Sequence, residues 1–212
     1  MFARFRSIPA TAVAAVLGCA LMATATPAAA QKKEKPKKEE AAKGKQLTAS
    51  KGFAPALKKM TDAKTANNAA ALQAALDEGQ ATASTPDDKY LVGFYQLQLG
   101  ILNKEQTLQA TGLDAMIESG LTPPDNVGTY NFYSGNFAYG AKDYAKAIQR
   151  LEAAKAAGST EAALAPMLMD NYLNVGQIDQ GWSVAKAGID AARAAGTKPL
   201  EELYVRPAQA FQ

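Results

Sequence analysis

Acid–base chemistry in this chain would have to use carboxylates, lysines or tyrosines. Its 212 residues contain no His, and the only Cys is Cys19. Outside a Lys-rich N-terminal stretch, the adjacent acidic pairs are Asp77-Glu78, Asp87-Asp88 and Glu201-Glu202. Paired carboxylates can divide acid and base roles when their surroundings pull their proton affinities apart. Each pair here falls at a predicted helix start or end, where solvated charge near the helix dipole is the ordinary role. No oxygen-rich calcium loop accompanies them, and no Gly-rich phosphate loop either. Gly93, Gly100 and Gly112 are scattered within predicted helices. The pattern points away from an enzyme, and no metal or cofactor is expected.

The first thirty residues are set apart from the fold. Arg4 and Arg6 precede an apolar run from Ile8 to Met22, and Thr26-Pro27-Ala28-Ala29-Ala30-Gln31 supplies small residues in an Ala-x-Ala pattern. This is the order of a cleaved export signal, and its style suggests a bacterial periplasm. The run is short for a membrane span, which needs about 20 residues. Val16-Leu17-Gly18-Cys19 offers a second processing route, in which Cys19 becomes a lipidated N-terminus. After cleavage at Ala30 the chain would hold neither imidazole nor thiol. That excludes a Ser-His-Asp triad, a Cys nucleophile, a Cys/His zinc site, a disulfide and a haem attachment motif.

Residues 31–49 read as a disordered Lys-rich linker. Lys32 to Lys45 holds seven Lys, three Glu and no aromatic, a net charge of +4. The bland role is a solvated spacer. The sharper one is weak electrostatic contact with an anionic envelope surface. Nucleic acid is not an expected partner, since the stretch has no aromatic on which bases stack.

Residues 50–212 must position whatever this protein uses. The chain contains 46 Ala, the strongest helix former and a poor strand former, and no alternating segment long enough for a strand. Ser50 can cap a helix to about Asp62, and a second runs from about Asn67 to Thr82. Thr85-Pro86-Asp87-Asp88 is a strong start signal for a third, which breaks near Asn103. Further helices are expected at about Glu105–Glu118, Asp125–Gly140, Asp143–Ala157, Glu161–Val175, Asp179–Ala195 and Pro199–Ala210. These lengths suit antiparallel pairs.

A fixed period runs through the C-terminal half. Tyr144 and Ile178 stand 34 apart, as do Ala147 and Gly181, Gly135 and Met169, Ala138 and Tyr172, Leu151 and Ala185, and Ala154 and Gly188. Small residues at such places let two helices approach closely. Upstream, Gly93 takes the part of Gly135 at an offset of 42, which calls for a longer loop around Gly120 to Asn126.

A 34-residue helix–turn–helix repeat of this texture resembles the tetratricopeptide repeat (TPR), best over Gly128 to Ala157. There Gly135-Asn136, Tyr139, Asp143-Tyr144, Ala147-Ile148 and Ala154 fall on or beside the family's positions. Asn131 stands where the family favours Trp, and Lys142 where it favours Gly. The resemblance implies an all-α fold of antiparallel helix pairs stacked as a short right-handed solenoid, closed by a terminal capping helix. It also implies a concave groove lined by the first helix of each pair. Phe132, Tyr133, Asn136 and Tyr139 would line it in the best repeat, and Met167, Asp170, Leu173 and Asn174 in the next. Tyr90, Leu91, Phe94, Leu97 and Gln98 form an upstream set. Tyrosine combines an apolar body with a polar tip, and Asn136 and Asn174 can bond a peptide backbone. Core filling is the plain alternative for these aromatics.

The function expected is that of a non-enzymatic adaptor or scaffold that takes a partner protein segment into the groove. A carrier for a small ligand or glycan is the first alternative. A structural homo-oligomer is the second, sensitive to changes near Phe53 or in Leu203 and Phe211.

Overall fold

The computed structural model describes residues 46–209. The export signal, the Cys19 alternative, the Lys-rich stretch through Lys45, and Phe211 lie outside the described residues. Among these residues the fold is all-helical. The helices are α1 (Ala54–Thr65), α2 (Ala69–Thr82), α3 (Pro86–Leu102), α4 (Gln106–Glu118), α5 (Pro124–Gly140), α6 (Tyr144–Ala156), α7 (Leu164–Asn174), α8 (Ile178–Ala194) and α9 (Glu202–Gln209). Each packs on its neighbours in the chain, giving four helical hairpins, α1–α2, α3–α4, α5–α6 and α7–α8. Successive hairpins meet through α2–α3, α4–α5 and α6–α7, and α9 lies against α7 and α8.

All four hairpins turn in the same way. Asn67, Lys104, Lys142 and Gly176 each occupy the middle of a three-residue turn, with φ between 53° and 76°. In each turn the next residue's N–H closes back on the first helix: Asn68 to Ala63, Glu105 to Gly100, Asp143 to Ala138 and Gln177 to Tyr172. This is the Schellman closure, which satisfies carbonyls that a helix end otherwise leaves open. A left-handed residue is required there, and glycine adopts it with the least strain. Lys142 therefore stands at a position that calls for glycine on physical grounds.

The apex residues correct the upstream register. Lys104 and Lys142 are 38 apart, so Leu97, not Gly93, matches Gly135. The extra residues do not form a longer loop: α5 has 17 residues against 11 in α7, and its preceding connection is shorter. A 34-residue step holds between Lys142 and Gly176. Across it the close contact recurs with the small residue on the opposite helix. A Cβ on Gly135 in α5 would stand 3.4 Å from the Ala147 carbonyl in α6, and 2.8 Å from Leu151 Cγ. In the next hairpin it is Gly181 in α8 whose Cβ would stand 3.3 Å from the Met169 carbonyl in α7.

The core is continuous from Phe53 and Met60 through Leu97, Leu113, Phe132 and Leu151 to Leu168 and Leu203. The start of α1 differs from the Ser50 cap: Phe53 is the N-cap, with no side-chain hydrogen bond. Ser50 instead gives its N–H to Asp88 Oδ1 at 2.9 Å. Asp88 also closes a capping box with Thr85 at the head of α3. Asp87 accepts the Thr48 N–H at 3.0 Å. These two carboxylates are buried, not solvated. They tie the segment 48–50 to the second hairpin, and Leu47 and Ala49 of the same stretch pack against the core.

Candidate functional site

The residues expected to line a groove fall on the first helices, α3, α5 and α7, and tyrosine side chains link these and α1 in sequence. Tyr95 of α3 shares a hydrogen bond of 2.8 Å with Thr61 of α1. The hydroxyls of Tyr90 in α3 and Tyr130 in α5 lie close to one another. Tyr139 of α5 donates to Asp170 Oδ2 of α7 at 2.6 Å. Each junction places an apolar ring in the core and spends its one polar tip on the neighbouring helix. Burial, with the Asp170 carboxylate next, pushes the Tyr139 phenol well above its usual range. Burial, then the adjacent Tyr130, does the same to Tyr90.

The seven groove candidates separate by depth. Phe132, Tyr133, Met167 and Asp170 are buried. Phe132 and Met167 belong to the hydrophobic core, so their side chains fill the space between helices instead of lining an open face. Tyr133 lies edge-on to Phe132, with ring centroids 5.4 Å apart. Asn136 and Tyr139 are half-buried, and Asn174 is exposed. The upstream Tyr90, Leu91, Phe94 and Leu97 are buried as well, leaving Gln98 half-exposed. Lys64 of α1 lies 5.5 Å from the Phe94 ring centroid, a cation–π contact that covers one side of that ring.

Three of the candidates meet at one carboxylate, that of Asp170. Tyr139 donates to Asp170 Oδ2, and Asn174 Nδ2 donates to the same oxygen at 3.2 Å and to the Asp170 carbonyl at 2.7 Å. Arg206 of α9 supplies the counter-charge: its Nε donates to Oδ1 at 2.6 Å, and its Nη2 reaches the same oxygen. The Asp170 side chain is only 3% exposed. A buried ionised carboxylate needs this many donors to offset its lost hydration. Arg206 was not among the sequence candidates. The signal for it was Asp170 itself, the lone charge in the apolar run Leu164 to Val175, which demands a cation from elsewhere.

A second ionic cluster lies on the second-helix side. Asp114 of α4 accepts Ser134 Oγ of α5 at 2.7 Å and pairs with Lys146 and Arg150 of α6. Arg150 also reaches Glu118 at 2.9 Å. This network crosses from one hairpin to the next and reads as an interface lock.

The two clearest concavities among the described residues lie elsewhere. One, of about 370 Å³, sits between Gln80, Lys89 and Glu118, and the other, of about 510 Å³, between Lys59, Asp62 and Asn68. Neither is lined by a groove candidate. Among the described residues no three His, Cys, Asp or Glu converge to hold a metal ion. No helix there is long and apolar enough to cross a membrane. No protein-family profile, curated protein or solved structure matches the chain.

Proposed function

We propose that this chain is an exported bacterial protein of the TPR type, a short right-handed solenoid that works as a non-enzymatic adaptor in the periplasm. The observation that carries this reading is the repetition of one hairpin turn four times, with the close contact inside the α5–α6 hairpin recurring 34 residues on inside α7–α8. Stacked hairpins place their first helices side by side, which makes an extended face suited to a peptide segment. On that face Gln98, Asn136 and Asn174 keep polar groups at the surface, spaced along three successive first helices. The two concavities described above are lined by none of these three residues, which favours an extended protein segment over a small ligand.

The test is in-cell photocrosslinking from Asn136, with exposed Lys155 as the control position. A distinct protein trapped at Asn136 and absent at Lys155 is the expected result. A product of twice the chain's own mass replaces the adaptor with a homo-oligomer, and no protein product at Asn136 overturns both.

A further inference from the structure

We infer that Asp170, with Tyr139 and Asn174, forms a guanidinium-recognition site that α9 occupies in cis and that a helical partner segment bearing Leu-x-x-Arg occupies in trans. This deepens the adaptor reading and rests on it, by naming the chemistry of the segment that the first helices accept.

The cis occupant shows what the site takes. Leu203 and Arg206 are three apart and so share a face of α9. Leu203 is buried beside Gly188 of α8, where a Cβ would come within 3.0 Å of Leu203 Cδ1. Arg206 places two donors on Asp170 Oδ1, while Tyr139 and Asn174 hold Oδ2. The carboxylate is thus divided between two fixed donors and one oxygen reserved for a fork-shaped cation, a geometry that favours Arg over Lys.

The hold on α9 is slight. It has eight residues, too few for a helix to persist alone in water. Beyond Leu203 and Pro207 it buries little: Tyr204 and Val205 remain more than 40% exposed. Gly196, at φ 68°, and Pro199 lie in the segment that joins it to α8. Release of α9 would leave the four hairpins in place and open a buried carboxylate beside the seat of Leu203. A partner segment then competes with α9, so its affinity in the resting protein falls by the fraction of molecules in which the site is covered.

The probe is a fluorescent peptide spanning Lys198 to Gln209, titrated against the full chain by anisotropy. Leu203→Ala/Arg206→Ala empties the site, and this variant is expected to bind the peptide at least tenfold tighter than the native chain. Adding Asp170→Asn, or using a peptide with Arg206→Ala, should remove that gain, and an Arg206→Lys peptide should bind less tightly. Equal binding to all variants, or none to a variant that retains cooperative unfolding, overturns the site. Hydrogen exchange on the unaltered chain tests release independently of any substitution. The α9 amides should exchange well before those of α3, and exchange only with global unfolding overturns the proposal. A failed crosslink at Asn136 alongside successful peptide binding would remove the adaptor reading and leave the site standing.

Discussion

The α3–α4 hairpin and the α7–α9 end are built on different principles. In α3–α4 the backbones themselves touch. A Cβ on Gly112 would stand 2.5 Å from the Leu97 nitrogen and 2.6 Å from the Gly93 carbonyl, and one on Gly100 would stand 2.6 Å from the Gln109 nitrogen. Nothing there can move aside. At the C-terminal end the closest contacts are to side chains, and Val175, Trp182, Leu200, Tyr204 and Val205 remain exposed. There the last helix is held by two buried side chains and a guanidinium. Rigidity is concentrated in the middle of the chain and exchangeable contact at its end, so local opening belongs to α9.

Gly112→Ala should break this comparison most severely if it is wrong. The gain in helix propensity is about 1 kcal/mol, yet overpacking against immovable backbone should outweigh it and leave a net loss of about 3 kcal/mol in denaturant unfolding. Gly135→Leu acts on the softer side-chain contact with Leu151, and a loss of about 2 kcal/mol is expected in the same assay. An unchanged melting point would show that the 34-residue register is misplaced. Arg206→Ala should cost about 1 kcal/mol globally, because water reaches Asp170 once α9 lifts, while α9 amides lose their protection entirely.

Lys142→Gly runs the other way. It relieves a left-handed non-glycine residue at φ 62° and should raise stability by about 0.5–1 kcal/mol. A drop would mean that the Lys142 turn is unlike the Gly176 turn after all.

The smallest effect expected is across neutral pH. Burial alone would raise the Asp88 carboxyl, but the Ser50, Ser84 and Thr85 N–H groups outweigh it and hold that group far below the usual carboxylate range. Its stabilisation is therefore complete above about pH 4 and is lost as pH falls further. The raised phenols of Tyr90 and Tyr139 contribute fully below about pH 10 and lose that contribution as pH rises beyond it. With no His between these edges, melting temperature should be flat from about pH 6 to 8. Asp88→Asn should flatten the acid edge alone.

The helices were readable because their punctuation is strong. Thr85-Pro86-Asp87-Asp88 forms the capping box that its order suggests, and Asn103 and Gly176 stop helices where they stand. Gly93 misled because a small residue marks close approach without saying to what: it meets the Gly112 carbonyl and Ala115, one turn earlier in α3 than the place that matches Gly135. The groove set was harder. Periodicity assigns a residue to a face, but depth within that face depends on the neighbouring hairpin. Phe132 and Asn136 are one turn apart on α5, yet one is wholly buried and the other reaches the surface. Arg206 escaped because its partner is 36 residues away.

The hydrogen bonds from Thr48 and Ser50 to Asp87 and Asp88 also set a mechanical route through the molecule. The chain enters the fold beside α1, yet it is fastened to the head of α3. A pull on the N-terminal side would therefore load the α3–α4 hairpin first and pass around α1–α2. The least compressible pair of helices would carry the tension, and the C-terminal end would be spared it.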